Sequence, residues 1–324
     1  RVTRMDREEA AAAAGSVDLR PAGRVIALIA VVLALMIAAI EHPGLNPSPC
    51  LRRLDKLAAD SGAATVGDPL KALHRLREFL FDEEGFRGNA QDYYDPRNSC
   101  LNDVLERRLG IPITLSVLTM EVGRRAGLPI VGVGLPGHFV VRADIGREPV
   151  LLDPFDAGAV LTHERAAALV AQATGRRIRL TDDHFAPVTK RQILTRMLLN
   201  LKSVYCQGGV WSKALAVLDR LLVLDEESTG HVRDRGSVLV KLGQLGQGLA
   251  DWERELGPHY ETAERMLGVT TYADQGPADE LLREYAEEIG VADTFKPTRV
   301  GAYFGEPGRE VEDPYFGGEG PRRS

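Results

Sequence analysis

His138 and Asp153 carry the two side chains with the clearest chemical potential, an imidazole and a carboxylate 15 residues apart. Apolar residues flank both, and a glycine between them favours a hairpin turn. A loop centred between Ile145 and Gly146 pairs residues whose numbers sum to 291, as 138 and 153 do. Cβ atoms of directly opposite residues in antiparallel strands lie about 4.5–5.5 Å apart. The sequence therefore predicts contact between the imidazole and the carboxylate.

A catalytic imidazole acts on a nucleophile, and Cys100 and Thr114 are the two candidates. Each stands near the start of a predicted helix, where the helix dipole lowers the pKa of a thiol. A threonine would stay protonated and need His138 as general base. Structural roles are open for all four residues: Cys100 as a packing residue, Thr114 as a capping residue, and His138 with Asp153 as a buried hydrogen-bonded pair.

A metal site would be the other chemistry available to this part of the chain. His138, Asp153, Asp156 and His163 could supply ligands, but their spacing matches no known ligand motif. The three cysteines contain no CxxC pair, which also argues against a thiolate zinc site or a disulfide framework. We therefore predict no metal and no cofactor.

The elements that must position these groups indicate an α+β domain. Amphipathic helices are predicted around residues 51–58 and 69–80, followed by a loop over 82–98. A helix beginning near Asn98 or Ser99 and ending at Gly110, and a buried one from Pro112 to Ala126, come next. Strands are predicted at 130–134, 138–142 and 149–153.

Residues 25–40 form an uninterrupted apolar run of 16 residues. A membrane span usually needs about 17–25 residues, so this run is borderline. Acidic residues before it weaken a signal-peptide interpretation. We interpret it as a buried helix, with a membrane segment as the alternative, and treat residues 1–24 as an N-terminal extension.

The second half of the chain repeats itself. The anchors Tyr205, Gly209, Trp211, Ala214, Leu218 and Leu222 recur 34 residues later as Leu239, Gly243, Leu245, Gly248, Trp252 and Leu256. A 34-residue period is typical of tetratricopeptide repeats. About three units are usually needed for a stable stack, so helices near 189–201 and 279–289 are expected to complete it. This predicts an all-α repeat domain over 189–290 and a disordered tail over 291–324.

Three blocks of the first half carry a family resemblance: GIPITLS at 110–116, GLPGHF at 134–139 and LLDPFD at 151–156. With EHPGLNPSPCLRRLDKLA at 41–58, the chain resembles the SirB family, a branch of the transglutaminase-like superfamily that often carries C-terminal tetratricopeptide repeats. The resemblance implies a papain-like domain, here 25–180, with His138 and Asp153 as catalytic partners of a cysteine. That cysteine normally opens the helix before the strands, where this chain has Pro112, Ile113 and Thr114.

Two functions follow from these observations. One is a non-catalytic or weakly catalytic adaptor that binds a protein or peptide through the repeats. The other is a thiol-dependent acyl transferase or hydrolase in which Cys100 attacks, His138 serves as base and Asp153 orients it. The net charge of −6 offers no basic field for nucleic acid. Widely spaced cysteines fit a reducing compartment, so we expect a cytoplasmic protein, with membrane contact through residues 25–40 as the less favoured alternative.

Overall fold

The computed structural model describes residues 34–254 continuously, and beyond them only 257, 270–271, 280, 283–285, 287, 299–300, 310–312 and 321–323. The chain divides into two compact units, Arg1–His231 and Val232–Ser324. Residues 1–33, which include the N-terminal extension and most of the apolar run, lie outside the described residues. Within residues 34–254 and the shorter stretches, no helix has the length and apolarity that a bilayer crossing requires.

The end of the apolar run is a buried helical segment. Residues 34–38 are helical, and Ala34, Leu35, Ile37, Ala38 and Ile40 are all buried. Helix α1 (Pro47–Asp60) follows, with the Asn46 side chain accepting from the Ser48 N–H and a proline at its start. Helix α2 (Pro69–Arg77) has Asp68 as its N-cap and continues as a π-helical segment, Glu78–Glu83. Both helices were predicted from their apolar spacing.

The sequence predicted a loop over 82–98, but this stretch also contains regular secondary structure. It contains strand β1 (Arg87–Gly88), which pairs in parallel with β2 (Leu109–Gly110), and a 3-10 turn, Pro96–Ser99. Helix α3 (Leu101–Arg107) starts one to two residues later than predicted, with Cys100 at the N-cap. Arg108 caps the C-terminus of this helix, and its φ of 61° is in the left-handed region. The sequence had led us to expect this conformation at Gly110. The prediction failed there because glycine is only the commonest residue in this conformation.

Helix α4 (Pro112–Arg125) is the central helix of the domain. Proline occupies its first turn, and eleven of its residues are buried, as its apolar sides predict. It packs against α1 and against the first strands of a four-stranded antiparallel sheet. Those strands are β3 (Ile130–Val133), β4 (Val140–Ala143), β5 (Val150–Asp153) and β6 (Ala159–Leu161), in that order. Helix α5 (His163–Thr174) contributes Ala166 and Val170 to the core beneath the sheet.

The β4–β5 register differs from the predicted one. Val141 pairs with Leu152 and Arg142 with Leu151, so paired numbers sum to 293 (141 + 152) rather than 291. His138 also lies two residues before β4, in the connecting loop. The hairpin loop is centred one residue later than predicted, which shifts the register by two. A shift of two keeps every side chain on its face. His138 and Asp153 are therefore diagonal rather than directly opposite neighbours.

The helices of the second half follow the predicted repeat. Helices α6 (Lys190–Gln207) and α7 (Trp211–Leu224) form one antiparallel hairpin. Helix α8 (Thr229–Lys241) precedes a helical stretch at residues 245–254. Gly209 and Gly243, 34 residues apart, both have positive φ in the turns between these helices, at 68° and 77°. The predicted α+β domain followed by tetratricopeptide-type helices is confirmed.

The predictions for the end of the chain fall largely outside the described residues. Of the helix expected near 279–289, residues 280, 283–285 and 287 are described and helical. Four short strands are described around and within the predicted tail. Thr270–Thr271 pairs with Arg299–Val300, and Glu310–Glu312 pairs with Pro321–Arg323, both antiparallel.

Glu41 links the N-terminal part of the first unit to the repeat helices α6 and α7. Its carboxylate accepts from the Tyr205 hydroxyl at 2.7 Å and from the Lys213 ammonium at 2.6 Å. Burial alone would raise the pKa of Glu41, but the hydrogen bonds from Lys213 and Tyr205 outweigh it and hold the pKa below its usual value. The first repeat hairpin is thus joined to the α+β domain by a half-buried ion pair.

This lowered pKa predicts a pH-dependent contribution to stability. A depressed carboxyl pKa stabilises the fold above the unfolded-state value of about 4.3, and the stability is lost as pH falls through the folded value. We expect Glu41→Gln to destabilise the protein at pH 7 and to make little difference well below pH 4. Urea unfolding of both proteins from pH 7 to pH 3 measures this. A constant difference across that range would contradict it.

Candidate functional site

A tight loop between β3 and β4 presents His138. Its backbone N–H donates to the Leu135 carbonyl at 3.1 Å, which closes the turn. Gly137 within this turn has a φ of 71°, and a Cβ there would lie 2.9 Å from that of Ala173 on α5. Only glycine meets both conditions without strain. The glycine before His138 in the GLPGHF block therefore sets the direction of the imidazole.

His138 and Asp153 form the predicted contact. The His138 Nε2 lies 2.9 Å from the Asp153 Oδ2. The second carboxylate oxygen, Oδ1, accepts from the Phe155 N–H at 2.9 Å. Asp153 is 1% exposed and His138 8%. With both oxygens engaged, the carboxylate is fixed at the end of β5 and in turn fixes the imidazole ring.

The remaining nitrogen of His138, Nδ1, is available to a ligand. Among the described residues it has no hydrogen-bond partner, and His138 lines an open cleft of about 810 Å³. The cleft is bounded by Tyr93, Tyr94, Pro112, Phe155, Leu169 and Gln172, among others. Pro112 brings the first turn of α4 to the cleft. This is the position at which the resemblance placed a catalytic cysteine.

Aromatic rings lead from His138 to the surface in edge-to-face contacts. The ring centroids of His138 and Phe155 are 6.1 Å apart, those of Phe155 and Tyr93 6.0 Å, and those of Tyr93 and Tyr94 5.4 Å. Interplanar angles of 68–88° suit the electrostatics of aromatic pairs. Phe155 follows the Asp153 strand, whereas the tyrosines lie in the segment before Cys100, to which the sequence analysis gave no role. The two adjacent tyrosines in this polar segment were the sequence feature that could have indicated a binding surface.

Cys100 lies away from this cleft. Its side chain is fully buried, its Sγ contacts the Pro96 carbonyl at 3.6 Å, and it is not among the lining residues. Burial raises the pKa of the Cys100 thiol, and the nearby carboxylates of Asp103 and Glu41 raise it further. A thiol in such surroundings resists ionisation, the opposite of what a nucleophile needs.

Thr114 is buried in α4 and does not line the cleft either. Its Oγ1 and the Oγ of Ser116 are buried hydroxyl oxygens without a hydrogen-bond partner among the described residues. Of the four predicted site residues, the structure brings together His138 and Asp153. The four potential metal ligands do not form a site. The described residues contain no group of three or more His, Cys, Asp or Glu side chains that could hold a metal ion.

Arg196 is a site residue that the sequence analysis missed. It extends from α6 and donates through Nη2 to the carbonyls of His138, at 2.7 Å, and of Leu135, at 3.1 Å. Its guanidinium lies 5.5 Å from the centre of the Phe139 ring. Burial lowers the pKa of Arg196, which the neighbouring Tyr93 partly offsets. No local pattern signals a contact between residues 58 positions apart.

Comparison with known proteins defines the class. Residues 48–199 match the family described as transglutaminase-like superfamily, and residues 201–267 match the tetratricopeptide repeat. The chain therefore joins a transglutaminase-like domain to tetratricopeptide repeats, which generally mediate protein–protein interaction.

Its relatives give the family. A UPF0162 protein from Xylella fastidiosa (strain 9a5c) is 40% identical over 191 residues, 58% of this chain and 68% of that protein. One from Vibrio cholerae is 32% identical over 172 residues, 52% of this chain and 63% of that protein. The chain belongs to the UPF0162 family.

A further similarity concerns a short segment. A cholesterol oxidase from Mycobacterium tuberculosis (strain H37Rv) is 48% identical over 81 residues, which are 24% of this chain and 14% of that enzyme. Because the matched segment is so small a part of the oxidase, the similarity does not indicate that this chain has oxidase activity. No solved structure shows significant similarity to the chain.

Proposed function

We propose that this protein is an interaction adaptor that binds a peptide segment of a partner protein in the cleft beside His138, with little or no catalysis of its own. The observation that carries the proposal is the composition of the cleft. It keeps the paired His138 and Asp153, yet the described residues that line it include no thiol. The pair can recognise a ligand by hydrogen bonding through Nδ1. The repeat helices supply further surface for the same partner.

The position of Cys100 supports this choice over thiol catalysis. Attack by a cysteine requires hydrogen-bond reach between thiol and base, followed by ionisation of the thiol. Cys100 is fully buried beside Asp103 and Glu41, and its pKa is raised. Exposing it to His138 would require α3 to leave the core that holds Leu101 and Val104.

The intact histidine–carboxylate pair favours a second candidate, a hydrolase or acyl transferase. A fixed imidazole with a free nitrogen in an open cleft has the geometry of a general base. In that case Cys100 or Thr114 would act as nucleophile, with His138 as base and then acid and Asp153 orienting it. The test below separates this candidate from the adaptor.

We also propose a finer family assignment and a cellular location for the protein. The GIPITLS, GLPGHF and LLDPFD blocks support placement in the SirB branch, although the relatives carry the name UPF0162. Three cysteines that are widely spaced in the sequence, with no CxxC pair, support a cytoplasmic location. We also propose the domain limits 25–180, from the family resemblance, and 189–290, from the 34-residue repeat.

Binding of the full chain to an array of immobilised random peptides tests the adaptor function. Ala90 is exposed and lines the cleft, so Ala90→Trp should obstruct it and abolish capture of the bound peptides. Ala64→Trp is the matched control, because Ala64 is also exposed but lines a different hollow. We expect a subset of peptides that the control retains and Ala90→Trp loses. Equal binding by both variants would overturn the proposal.

Thiol reactivity and ester turnover test the alternative. With iodoacetamide on the native protein, we expect the partly exposed Cys50 and Cys206 to react before Cys100. We also expect p-nitrophenyl acetate hydrolysis to be unchanged by Cys100→Ser. An acyl adduct on Cys100 or Thr114, or turnover abolished by His138→Ala and by either Cys100→Ser or Thr114→Ala, would establish the enzyme instead.

A further inference from the structure

We propose that the cleft recognises a Lys or Arg side chain of the bound peptide, held against the rings of Tyr93 and Tyr94 and paired with Asp156. This inference rests on the proposed function and specifies the chemistry of its ligand. Tyr94 is 62% exposed and Tyr93 39%, at the outer end of the aromatic series that begins at His138. Exposed aromatic faces carry the negative potential that attracts a cation.

The segment that carries the two tyrosines is held from inside the protein. Asn98 is fully buried and donates through Nδ2 to the carbonyls of Asp92, at 2.7 Å, and Tyr93, at 3.3 Å. Its Oδ1 accepts from the Asn89 side chain at 3.0 Å, and the Asn89 Oδ1 accepts from the Asp92 N–H at 3.1 Å. These bonds hold the backbone of Asp92 and Tyr93 in place, so the tyrosines form a preformed wall. Preorganisation lowers the entropy cost of binding.

Phe155 connects this wall to His138 and is itself fixed by close packing. The Gly88 N–H donates to the Phe155 carbonyl at 3.1 Å. A Cβ at Gly88 would lie 2.5 Å from carbons of the Phe155 ring, closer than van der Waals contact permits. The ring therefore fills the space that a side chain at residue 88 would occupy, which keeps it between His138 and Tyr93.

The charges around the cleft select a cation. In the part of the chain that the structure describes, the ionisable residues lining the cleft are Asp153, Asp156, His138 and the two tyrosines, and no Lys or Arg lines it. Asp153 is committed to His138 and to the Phe155 N–H, whereas Asp156 is exposed at the rim. Arg196 interacts with Tyr93, but its Nη2 donates to the carbonyls of Leu135 and His138, and Arg196 is not among the described lining residues. The carboxylates of Asp153 and Asp156 would repel an anionic side chain, whereas a cationic one gains an ion pair with Asp156 in addition to contact with the rings.

A peptide series tests the inference by NMR. The probes are acetylated Gly-Ala-X-Ala-Gly amides in which X is Lys, norleucine or Glu, titrated into full-length protein labelled at its tyrosine rings. We expect the Lys peptide to shift the signals of Tyr93 and Tyr94 and to bind at least about fivefold more tightly than the norleucine peptide. The Glu peptide is expected not to bind.

Variants assign the effect to the wall. Tyr94→Ala should weaken Lys-peptide binding about fivefold and Tyr94→Phe, which keeps the ring face, by less than twofold. Asp156→Asn should weaken it about threefold. Tyr285→Ala is the matched control, since Tyr285 is 59% exposed outside the cleft, and should change nothing.

The outcomes separate this inference from the function on which it rests. If the array shows capture that Ala90→Trp abolishes but Lys and norleucine peptides bind equally, the adaptor stands and cation recognition is overturned. Loss of binding in Tyr285→Ala equal to that in Tyr94→Ala would also overturn it. If no peptide depends on the cleft, both proposals fail together.

Discussion

Asp153→Ala is expected to lower the free energy of unfolding by about 3 kcal/mol. Asp153 is 1% exposed, and both of its oxygens have partners, His138 Nε2 and the Phe155 N–H. Removing one member of a buried hydrogen-bonded pair leaves the other groups buried without a partner, which costs about 3–5 kcal/mol for a charged pair and less for a neutral one. Urea denaturation followed by circular dichroism measures the change.

Two variants show whether the loss comes from these hydrogen bonds. Asp156→Ala removes a carboxylate three residues away that is exposed, and should change stability by less than about 0.5 kcal/mol. Asp153→Asn keeps an acceptor for the Phe155 N–H and should fall between the two. Equal losses for the two alanine variants would show that the pair contributes nothing particular to the fold.

Arg196→Ala is expected to cost about 3 kcal/mol and to weaken peptide binding in the cleft. The guanidinium supplies hydrogen bonds to the carbonyls of His138 and Leu135, and charged hydrogen bonds contribute about 1.5–3 kcal/mol each. Without them the loop that carries His138 loses its connection to α6. We expect Arg196→Lys to recover part of both losses, because an ammonium can reach one of the carbonyls.

Arg191→Ala is the matched control on the same helix. Arg191 is 64% exposed at its side chain and donates to the Leu224 carbonyl within the repeat hairpin. Its removal should cost well under 1 kcal/mol and leave binding in the cleft unchanged. If it weakened cleft binding as much as Arg196→Ala, the effect would belong to α6 as a whole rather than to the His138 loop.

Much of the fold follows from local patterns. Apolar spacing predicts α1, α2 and α4, and the 34-residue period predicts the matched turns at Gly209 and Gly243. These features depend on interactions within a few residues or on exact repetition. The contact of His138 with Asp153 was also predictable, because side chains alternate along strands and an error of two residues in register keeps them on one face.

The rest of the site depends on contacts between distant segments. Arg196 reaches His138 across 58 residues, and Asn98 fixes Tyr93 through bonds that no spacing rule describes. The burial of Cys100 beside Glu41, which also pairs with Lys213, likewise brings together residues that are far apart in sequence. Helix position alone suggested a reactive thiol. Only packing shows that this side chain faces the core.

The segment between α5 and α6 covers one of the two edges of the four-stranded sheet. Pro187 forms a bridge with Val133, and the Val188 N–H donates to the Gly132 carbonyl at 2.9 Å. The outer side of β3 is thus occupied by the chain itself. The opposite edge, β6, is only three residues long. Exposed strand edges invite pairing between molecules, and covering or shortening them prevents it. The sheet that carries Asp153 therefore ends in two edges poorly suited to intermolecular strand addition.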